Sequence, residues 1–373
     1  MYKLADNGYD TKHQYFVDGA PVMGDIKVGD VWKTIVVGGL NKGGKAYYAL
    51  DITNPSSPKL LWEFTNSNLG LTFKNAAGTW IVAFASGYNN ETGDGKGRLF
   101  IVNANTGAEI VSGGIPTAAG DTTTPSGLSK INAWIDDASN NTATRFYGGD
   151  LLGNVWRFDY DSLVEPNNSA LKLGIAQVGS TPQPITTKPM LIQASGKPVV
   201  IVGTGRYLGE DDLSDNGIQT VYAIKDPMTN DSWGTIRTNA DFVKQTLTAD
   251  DTAKTASITS NAVDWATKAG WWVDLPHAKE RVSTPMSLQL STLVVPTSLP
   301  NGHACASGGA SWLYFLNATN GSTINTNPVG TEQSDTTLIV GTNWVRDSDG
   351  NIRLIVQGSD GKIETKTPPV TGS

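Results

Sequence analysis

Across 373 residues, 28 Lys and Arg face 35 Asp and Glu, which leaves a net charge of −7 and a pI near 5.0. A nucleic-acid-binding domain draws most of its affinity from phosphate neutralisation and normally carries a basic surplus, so that class is excluded. No apolar run approaches the roughly 20 residues of a bilayer-spanning helix, and the single cysteine, Cys305, excludes an internal disulfide and a cysteine-built zinc site. The 41 Gly and 18 Pro suit many tight turns. The first residues, Met1-Tyr-Lys-Leu-Ala-Asp6, lead into polar sequence without the apolar core of a signal peptide, and the chain reads as a fragment of a larger protein.

In chain order, long helical periodicity is nearly absent and one pattern recurs. An aliphatic strand is followed by a turn or loop, then by an aromatic or aliphatic strand that tends to close on Asp or Asn. The first copy is Thr34-Ile-Val-Val-Gly-Gly39 with Ala46-Tyr-Tyr-Ala-Leu-Asp51. The second is Trp80-Ile-Val-Ala-Phe84 with Arg98-Leu-Phe-Ile-Val-Asn103. Arg145-Phe-Tyr-Gly-Gly-Asp150 and Asn154-Val-Trp-Arg-Phe-Asp159 form the third, Val199-Val-Ile-Val-Gly203 and Thr220-Val-Tyr-Ala-Ile224 the fourth. The fifth pairs Thr292-Leu-Val-Val295 with Ser311-Trp-Leu-Tyr-Phe-Leu-Asn317; the sixth pairs Arg353-Leu-Ile-Val-Gln-Gly358 with Lys362-Ile-Glu-Thr365.

Most of these copies are spaced by roughly 50 residues, and one interval stretches to about 90. Such a period in an all-β chain predicts propeller blades, four-stranded sheets that bury their faces only against neighbours. The expected fold is all-β: a modified seven-bladed β-propeller, with six repeats visible and a further blade closed by both termini. Residues 1–14 form a lead-in, 15–365 the propeller and 366–373 a Pro-rich tail. The stretched interval predicts a short helical insertion near 239–270, because 240–247 and 262–268 have helical spacing. The near-continuous apolar strands read as inner strands buried on both faces. Most of the 11 Trp, Trp156 and Trp312 among them, are expected to pack between blades; Trp134, Trp233 and Trp265 fall in expected loops or helices.

Catalytic motifs are scarce. His13, His277 and His303 lie far apart, no Gly-x-Ser-x-Gly elbow is present, and Thr204 in Gly203-Thr-Gly205 reads as a strand end. Three acidic loops could offer oxygen ligands to a hard cation. They are Asp136-Asp-Ala-Ser-Asn-Asn-Thr-Ala-Thr144, Glu210-Asp-Asp-Leu-Ser-Asp215 and Asp347-Ser-Asp-Gly-Asn351. The last has the composition of a hairpin turn.

Six motifs, in order along 15–365, resemble the C-terminal domain of the PilY1/PilC type IV pilus proteins. They are Tyr15-Phe-Val-Asp-Gly-Ala-Pro21, Gly38-Gly-Leu-Asn-Lys-Gly-Gly-Lys-Ala-Tyr-Tyr-Ala-Leu-Asp51, Tyr147-Gly-Gly-Asp-Leu-Leu-Gly-Asn-Val-Trp-Arg-Phe-Asp159, Gly203-Thr-Gly-Arg-Tyr-Leu208, Gly270-Trp-Trp-Val-Asp-Leu-Pro276 with Glu280-Arg-Val282, and Cys305-Ala-Ser-Gly-Gly-Ala-Ser-Trp-Leu-Tyr314. The resemblance implies a modified seven-bladed propeller in an exported protein of the bacterial cell surface, pilus tip or outer membrane. It implies non-catalytic work in pilus assembly, extension and retraction balance, twitching motility and adhesion, with pilins or minor pilins and host or abiotic surfaces as partners. It also implies a nine-residue calcium loop before the third repeat. Its alternate positions fall on Asp136, Ala138, Asn140, Thr142 (by its carbonyl) and Thr144. Ala138 offers no side-chain ligand and Thr144 replaces the closing acid, so any calcium is expected to bind weakly, around 10⁻⁴–10⁻³ M or poorer.

Two other functions fit a Trp- and Gly-rich propeller. A pyrroloquinoline-quinone dehydrogenase commonly uses a vicinal disulfide beside the quinone, which one cysteine cannot form. A glycan-binding propeller would use exposed Trp and Tyr.

Overall fold

The computed structural model describes residues 17, 19–40, 43–66, 71–76, 80–88, 93–137, 142–159, 169–301 and 308–370, with backbone alone at 71–76, 136–137, 142 and 144. The chain forms two compact units. The first comprises Met1–Phe146, Phe158–Asp161 and Asn168–Ala170; the second comprises Tyr147–Arg157, Ser162–Asn167 and Leu171–Ser373.

In the first unit, β1 (Val22–Val28), β2 (Val31–Gly39), β3 (Ala46–Asp51) and β4 (Lys59–Thr65) form an antiparallel meander. Alternation places Ile26, Ile35, Val37, Tyr47, Ala49, Trp62 and Phe64 on its buried face. Next come β5 (Leu71–Ala76), β6 (Ile81–Tyr88), β7 (Arg98–Asn103), β8 (Ile115–Pro116) and β9 (Leu128–Asp137), which meets β6 at Gly87 and Leu128. Every residue of β6 is buried, as its unbroken apolar run predicts. Phe84 and Phe100 stack at 5.6 Å, and Phe64 meets both edge-on.

The chain enters the second unit inside β10 (Thr142–Asp150) and continues through β11 (Asn154–Asp159) and β12 (Ala170–Ile175) to a hairpin of β13 (Gln177–Val178) and β14 (Thr181–Pro182). Then follow β15 (Met190–Ala194), β16 (Lys197–Gly203), β17 (Thr220–Lys225), β18 (Phe242–Gln245), β19 (Leu247–Asp250), β20 (Thr255–Ile258), β21 (Gly270–Asp274), β22 (Ser287–Gln289), β23 (Thr292–Pro300), β24 (Gly309–Asn317) and β25 (Gly330–Ser334). These form one sheet ordered β15-β16-β17-β21-β18 and another ordered β19-β20-β25-β24-β23-β22. A third contains β26 (Ile339–Arg346), β27 (Ile352–Gly358) and β28 (Ile363–Lys366). The six sequence repeats are the strand pairs β2–β3, β6–β7, β10–β11, β16–β17, β23–β24 and β27–β28. The fold is an all-β propeller.

The helical expectation for 239–270 is corrected. Only a three-residue 3₁₀ turn, Ile236–Thr238, precedes this stretch, which is otherwise strands and turns. Phe242 and Val243 pair in parallel with Gly270 and Trp271, making β18 the fifth strand of its sheet. The hairpin β19–β20 joins the following sheet through β25, its turn held by Asp250 Oδ1 accepting from the N–H of Thr252 and of Ala253. At 262–268 the apolar spacing wraps a single turn around Asp264, with Lys268 N–H reaching Asp264 O at 2.7 Å. The spacing was real; sheet edges that needed partners decided its use. Trp134 likewise lies within β9 rather than in a loop or helix. Trp233 and Trp265 donate their indole N–H groups to Lys225 O and Thr319 O.

A physical reason underlies the Asp or Asn that closes so many repeats. Asp51, Asn103, Asp226 and Asn317 each accept the backbone N–H two residues on, at 2.8–3.0 Å, and so nucleate the turn that ends the strand. Two of these turns also receive a tryptophan. Trp62 donates to Ala104 O at 2.9 Å and Trp271 to Ala318 O at 3.2 Å. Beneath each ring lies a glycine at φ +70°, Gly107 or Gly321, where an added Cβ would approach the ring to 2.7 or 2.4 Å. Only glycine satisfies both the left-handed backbone and the ring contact. Trp156 and Trp312 are 1% and 2% exposed, as expected for packing residues.

Trp271→Ala should therefore destabilise the protein by about 3–5 kcal/mol, and Gly321→Ala should do so through strain and overpacking without removing the indole. Urea unfolding followed by near-UV circular dichroism measures both. Wild-type midpoints would refute the docking role.

Candidate functional site

The loop expected to take calcium joins β9 to β10. Its Asn140 lies outside the described residues, as do the side chains of Asp136, Thr142 and Thr144; the backbone places Asp136 near the end of β9 and Thr142 and Thr144 at the start of β10. Cys305, His13 and His303 also lie outside the described residues. The Asp347 loop is the hairpin turn its composition predicts: Asp347 Oδ1 accepts from the N–H groups of Asp349 and Asn351, and Arg353 Nε donates to Oδ2. Among the described residues, no group of three or more His, Cys, Asp and Glu is arranged to hold a metal ion, and no helix is long and apolar enough to cross a membrane.

The third acidic loop has its own internal cation. Glu210–Ser214 forms a 3₁₀ turn whose Asp212 is buried. The Asp212 carboxylate accepts from Leu208 N–H, Gly209 N–H and Arg206 Nε. The carbonyls that a hard cation would seek are taken by Arg281, which is 2% exposed. Arg281 Nη1 donates to Arg206 O and Asp212 O at 2.8 and 2.7 Å, Nη2 to Asp215 O at 2.9 Å, and Nε to Lys279 O. Burial draws the Arg281 pKa down, opposed by the nearby Asp215 and Asp212 carboxylates. A planar fork of donors holds three points of one loop at once, which a lysine could not do. This loop therefore does not fit calcium. Two motifs that are far apart in sequence, Gly203-Thr-Gly-Arg-Tyr-Leu208 and Glu280-Arg-Val282, are the two halves of this lock. Val282 N–H also reaches Thr204 O at 2.9 Å.

Beside the lock sits a relay that the sequence reading missed. Glu280, fully buried, accepts from Thr297 Oγ1 and from Tyr314 OH through Oε1. Its Oε2 lies 2.7 Å from His277 Nδ1, and His277 Nε2 lies 2.9 Å from Asp251 Oδ1 in the β19–β20 turn. The imidazole rests on Trp312 at 4.8 Å. The bond to Glu280 raises the His277 pKa above its usual value, more than burial lowers it, and Asp251 adds to the rise. Burial, then the Glu280 charge, pushes the Tyr314 phenol well up. His277 uses both ring nitrogens on carboxylates, an arrangement that suits an imidazolium clamp. The signal available in sequence was a histidine three residues before a glutamate; Asp251 is distant and could not be read.

Two further carboxylates organise the third and fourth repeats. Asp150 is wholly buried and accepts from Trp156 Nε1, Asn154 Nδ2, Asn154 N–H and Leu152 N–H. Desolvation outweighs these donors and pushes its pKa up to about 6. Asp226 takes Arg157 Nη1 and Tyr147 OH, both at 2.7 Å, in a fully buried ion pair.

Arg281→Met should leave the buried Asp212 carbonyl unsatisfied, at a cost of about 1–3 kcal/mol, release the half-buried carbonyls of Arg206 and Asp215, and expose 206–215 to thermolysin. Cleavage no faster than in wild type would remove the lock from this account. The histidine clamp has a definite sign: a folded pKa raised above the unfolded value contributes stability that is complete below about 6.5 and is lost as pH rises through the folded pKa. His277→Gln should therefore lower Tm more at pH 6 than at pH 9, read by calorimetry across that range. An equal deficit at both ends would show that the ring acts by packing alone.

With this geometry in view, likeness to known proteins becomes interpretable. The PilY1 beta-propeller domain matches residues 1–261. The type IV pilus biogenesis factor PilY1 of Pseudomonas aeruginosa (strain UCBPP-PA14) is 30% identical over 82% of this chain and 31% of its own length. A PilY1 homolog of Xylella fastidiosa (strain Temecula1) is 30% identical over 83% of this chain and 23% of its own length. The chain thus spans less than a third of these relatives. The crystal structure of the Pseudomonas aeruginosa PilY1 C-terminal domain superposes with a TM-score of 0.75 at 25% identity, covering 99% of this chain and 88% of that one. This chain belongs to the PilY1 beta-propeller family.

Proposed function

We propose that this chain is a non-catalytic module of a type IV pilus biogenesis factor, acting through protein contacts at the bacterial cell surface or pilus tip. The observation that supports this most is the match to pilus biogenesis factors over more than four-fifths of the chain. It is supported further by where the shared motifs lie: they build the Arg281 lock and the Asp150 turn, devices for holding loops still. A rigid display of loops suits docking to pilins or minor pilins, and to host or abiotic surfaces during adhesion and twitching motility. Export of the parent protein follows from this reading.

Calcium enters this proposal as a weak modulator at the loop of Asp136, Asn140, Thr142 and Thr144, where one carboxylate among the ligand positions suits low affinity. Deleting the parent gene in its host should reduce surface pili and twitching, and restoring it should recover both; normal piliation after deletion rejects the proposal. Isothermal titration should give calcium binding no tighter than about 10⁻⁴ M, weakened by Asp136→Ala. Micromolar binding that survives the substitution would place the ion elsewhere.

A further inference from the structure

The segment that follows the Arg281-locked turn forms one wall of a pocket in the second unit. Its other wall is the β13–β14 hairpin, and the space between them is about 320 Å³. Gln219 lines this pocket at 5% exposure. Its Oε1 accepts from Thr204 Oγ1 at 2.8 Å, which orients the amide, while its Nε2 has no hydrogen-bond partner among the described residues. An oriented donor on a largely buried side chain, open to the pocket and without a protein acceptor, is left to a ligand or water.

An acceptor faces the same space. Asp215 Oδ1 takes the N–H of Gly217 at 2.8 Å, and no other bond is made by this carboxylate among the described residues. Gly217 is what keeps the space open. A Cβ there would lie 3.0 Å from Asp215 Oδ1 and 3.7 Å from Gln219 Nε2, close against both polar groups. The remaining lining is mixed: Val178, Pro182 and Ile218, which is 47% exposed, are aliphatic, while Thr181, Gln183 and Asn216 add neutral hydroxyl and amide groups. The backbone around these groups is fixed from outside the pocket. Arg281 holds Asp215 O, Gln183 Nε2 holds Ile218 O at 2.6 Å, and Gln219 O accepts from Leu275 N–H.

The chemistry selects among ligands. A carboxylate or phosphate would meet Asp215 and be repelled. An ammonium or guanidinium would satisfy Asp215 but has no acceptor for the Gln219 amide. A hydroxyl does both, and neighbouring hydroxyls on one ring can serve Asp215 and Gln219 together while C–H groups lie on Ile218 and Pro182. An extended peptide would need a strand edge, yet β14 is only two residues long and Pro182 has no N–H to donate. We infer that the pocket between the β13–β14 hairpin and the Asp215–Gln219 segment is a binding site for a neutral sugar ring, with Asp215 and Gln219 as its polar ligands. The inference is independent of the pilus reading, which places no ligand here.

The test is saturation-transfer NMR on the intact chain with the methyl glycosides of glucose, galactose, mannose and N-acetylglucosamine. Sialic acid and a blocked tri-alanine peptide serve as the other arms. At least one neutral glycoside should bind saturably and shift the Gln219 side-chain amide resonance. Gly217→Ala, at a backbone position without positive φ, should weaken that binding about tenfold or more at unchanged Tm, and Asp215→Asn should also weaken it. Silence from all four glycosides, or binding unaffected by Gly217→Ala, overturns the proposal. A response confined to sialic acid or to the peptide, and lost in Gly217→Ala, overturns it in favour of that ligand class.

Discussion

A four-stranded sheet with two apolar faces is stable only when another sheet covers each face, and the rest of this structure depends on how that cover is secured. Here apolar area does the bulk of the work and an indole sets the alignment. Trp62 and Trp271 cross from the fourth strand of one sheet to the Asx turn that ends a strand, β7 or β24, of the next, each spending its single donor on the carbonyl of an alanine there. The glycine beneath the ring lets the contact close to van der Waals distance. Burial alone is non-directional and would tolerate a sliding sheet; one hydrogen bond at a turn of defined shape does not. Arg157 and Tyr147 do the same task on Asp226 with a charged pair in place of the indole.

Polar groups buried in the second unit follow a related logic. Arg281, Glu280 and Asp226 are each almost wholly buried, and each meets several partners drawn from distant parts of the chain. Such groups contribute little net stability over an apolar replacement, but removing one partner is expensive. Their effect is to penalise misplaced loops. In Arg281 this has a chemical consequence as well: a turn with the composition of a cation site is closed by the protein's own guanidinium, and its order needs no metal.

Rigid loops on a packed scaffold are what the proposed contact role requires. The same lock that holds Asp215 O also fixes the position from which the Asp215 side chain faces the pocket beside β13–β14. Structural order and ligand recognition thus share one buried residue, and a change at Arg281 would be felt in both.

Much of this was legible in one dimension. The aliphatic runs named the inner strands, because a strand buried on both faces has no polar position to alternate with, and β6 is buried along its full length. The Asp and Asn at strand ends were visible as a repeat because an Asx turn needs that side chain at that place. Six motifs in order were enough to suggest the family. What sequence could not decide was partnership. The 239–270 stretch has helical spacing, yet β18 and β19–β20 became strands because two neighbouring sheets offered open edges. Glu210–Asp215 read as a cation loop because oxygen-rich composition does not reveal that Arg281, some 70 residues later in the chain, already fills it. His277 meets Asp251 across a gap of 26 residues, and Gln219 was an ordinary polar residue until folding set its amide in the wall of a pocket. Local propensity and periodicity are written residue by residue; which donor meets which acceptor is set only when the sheets pack.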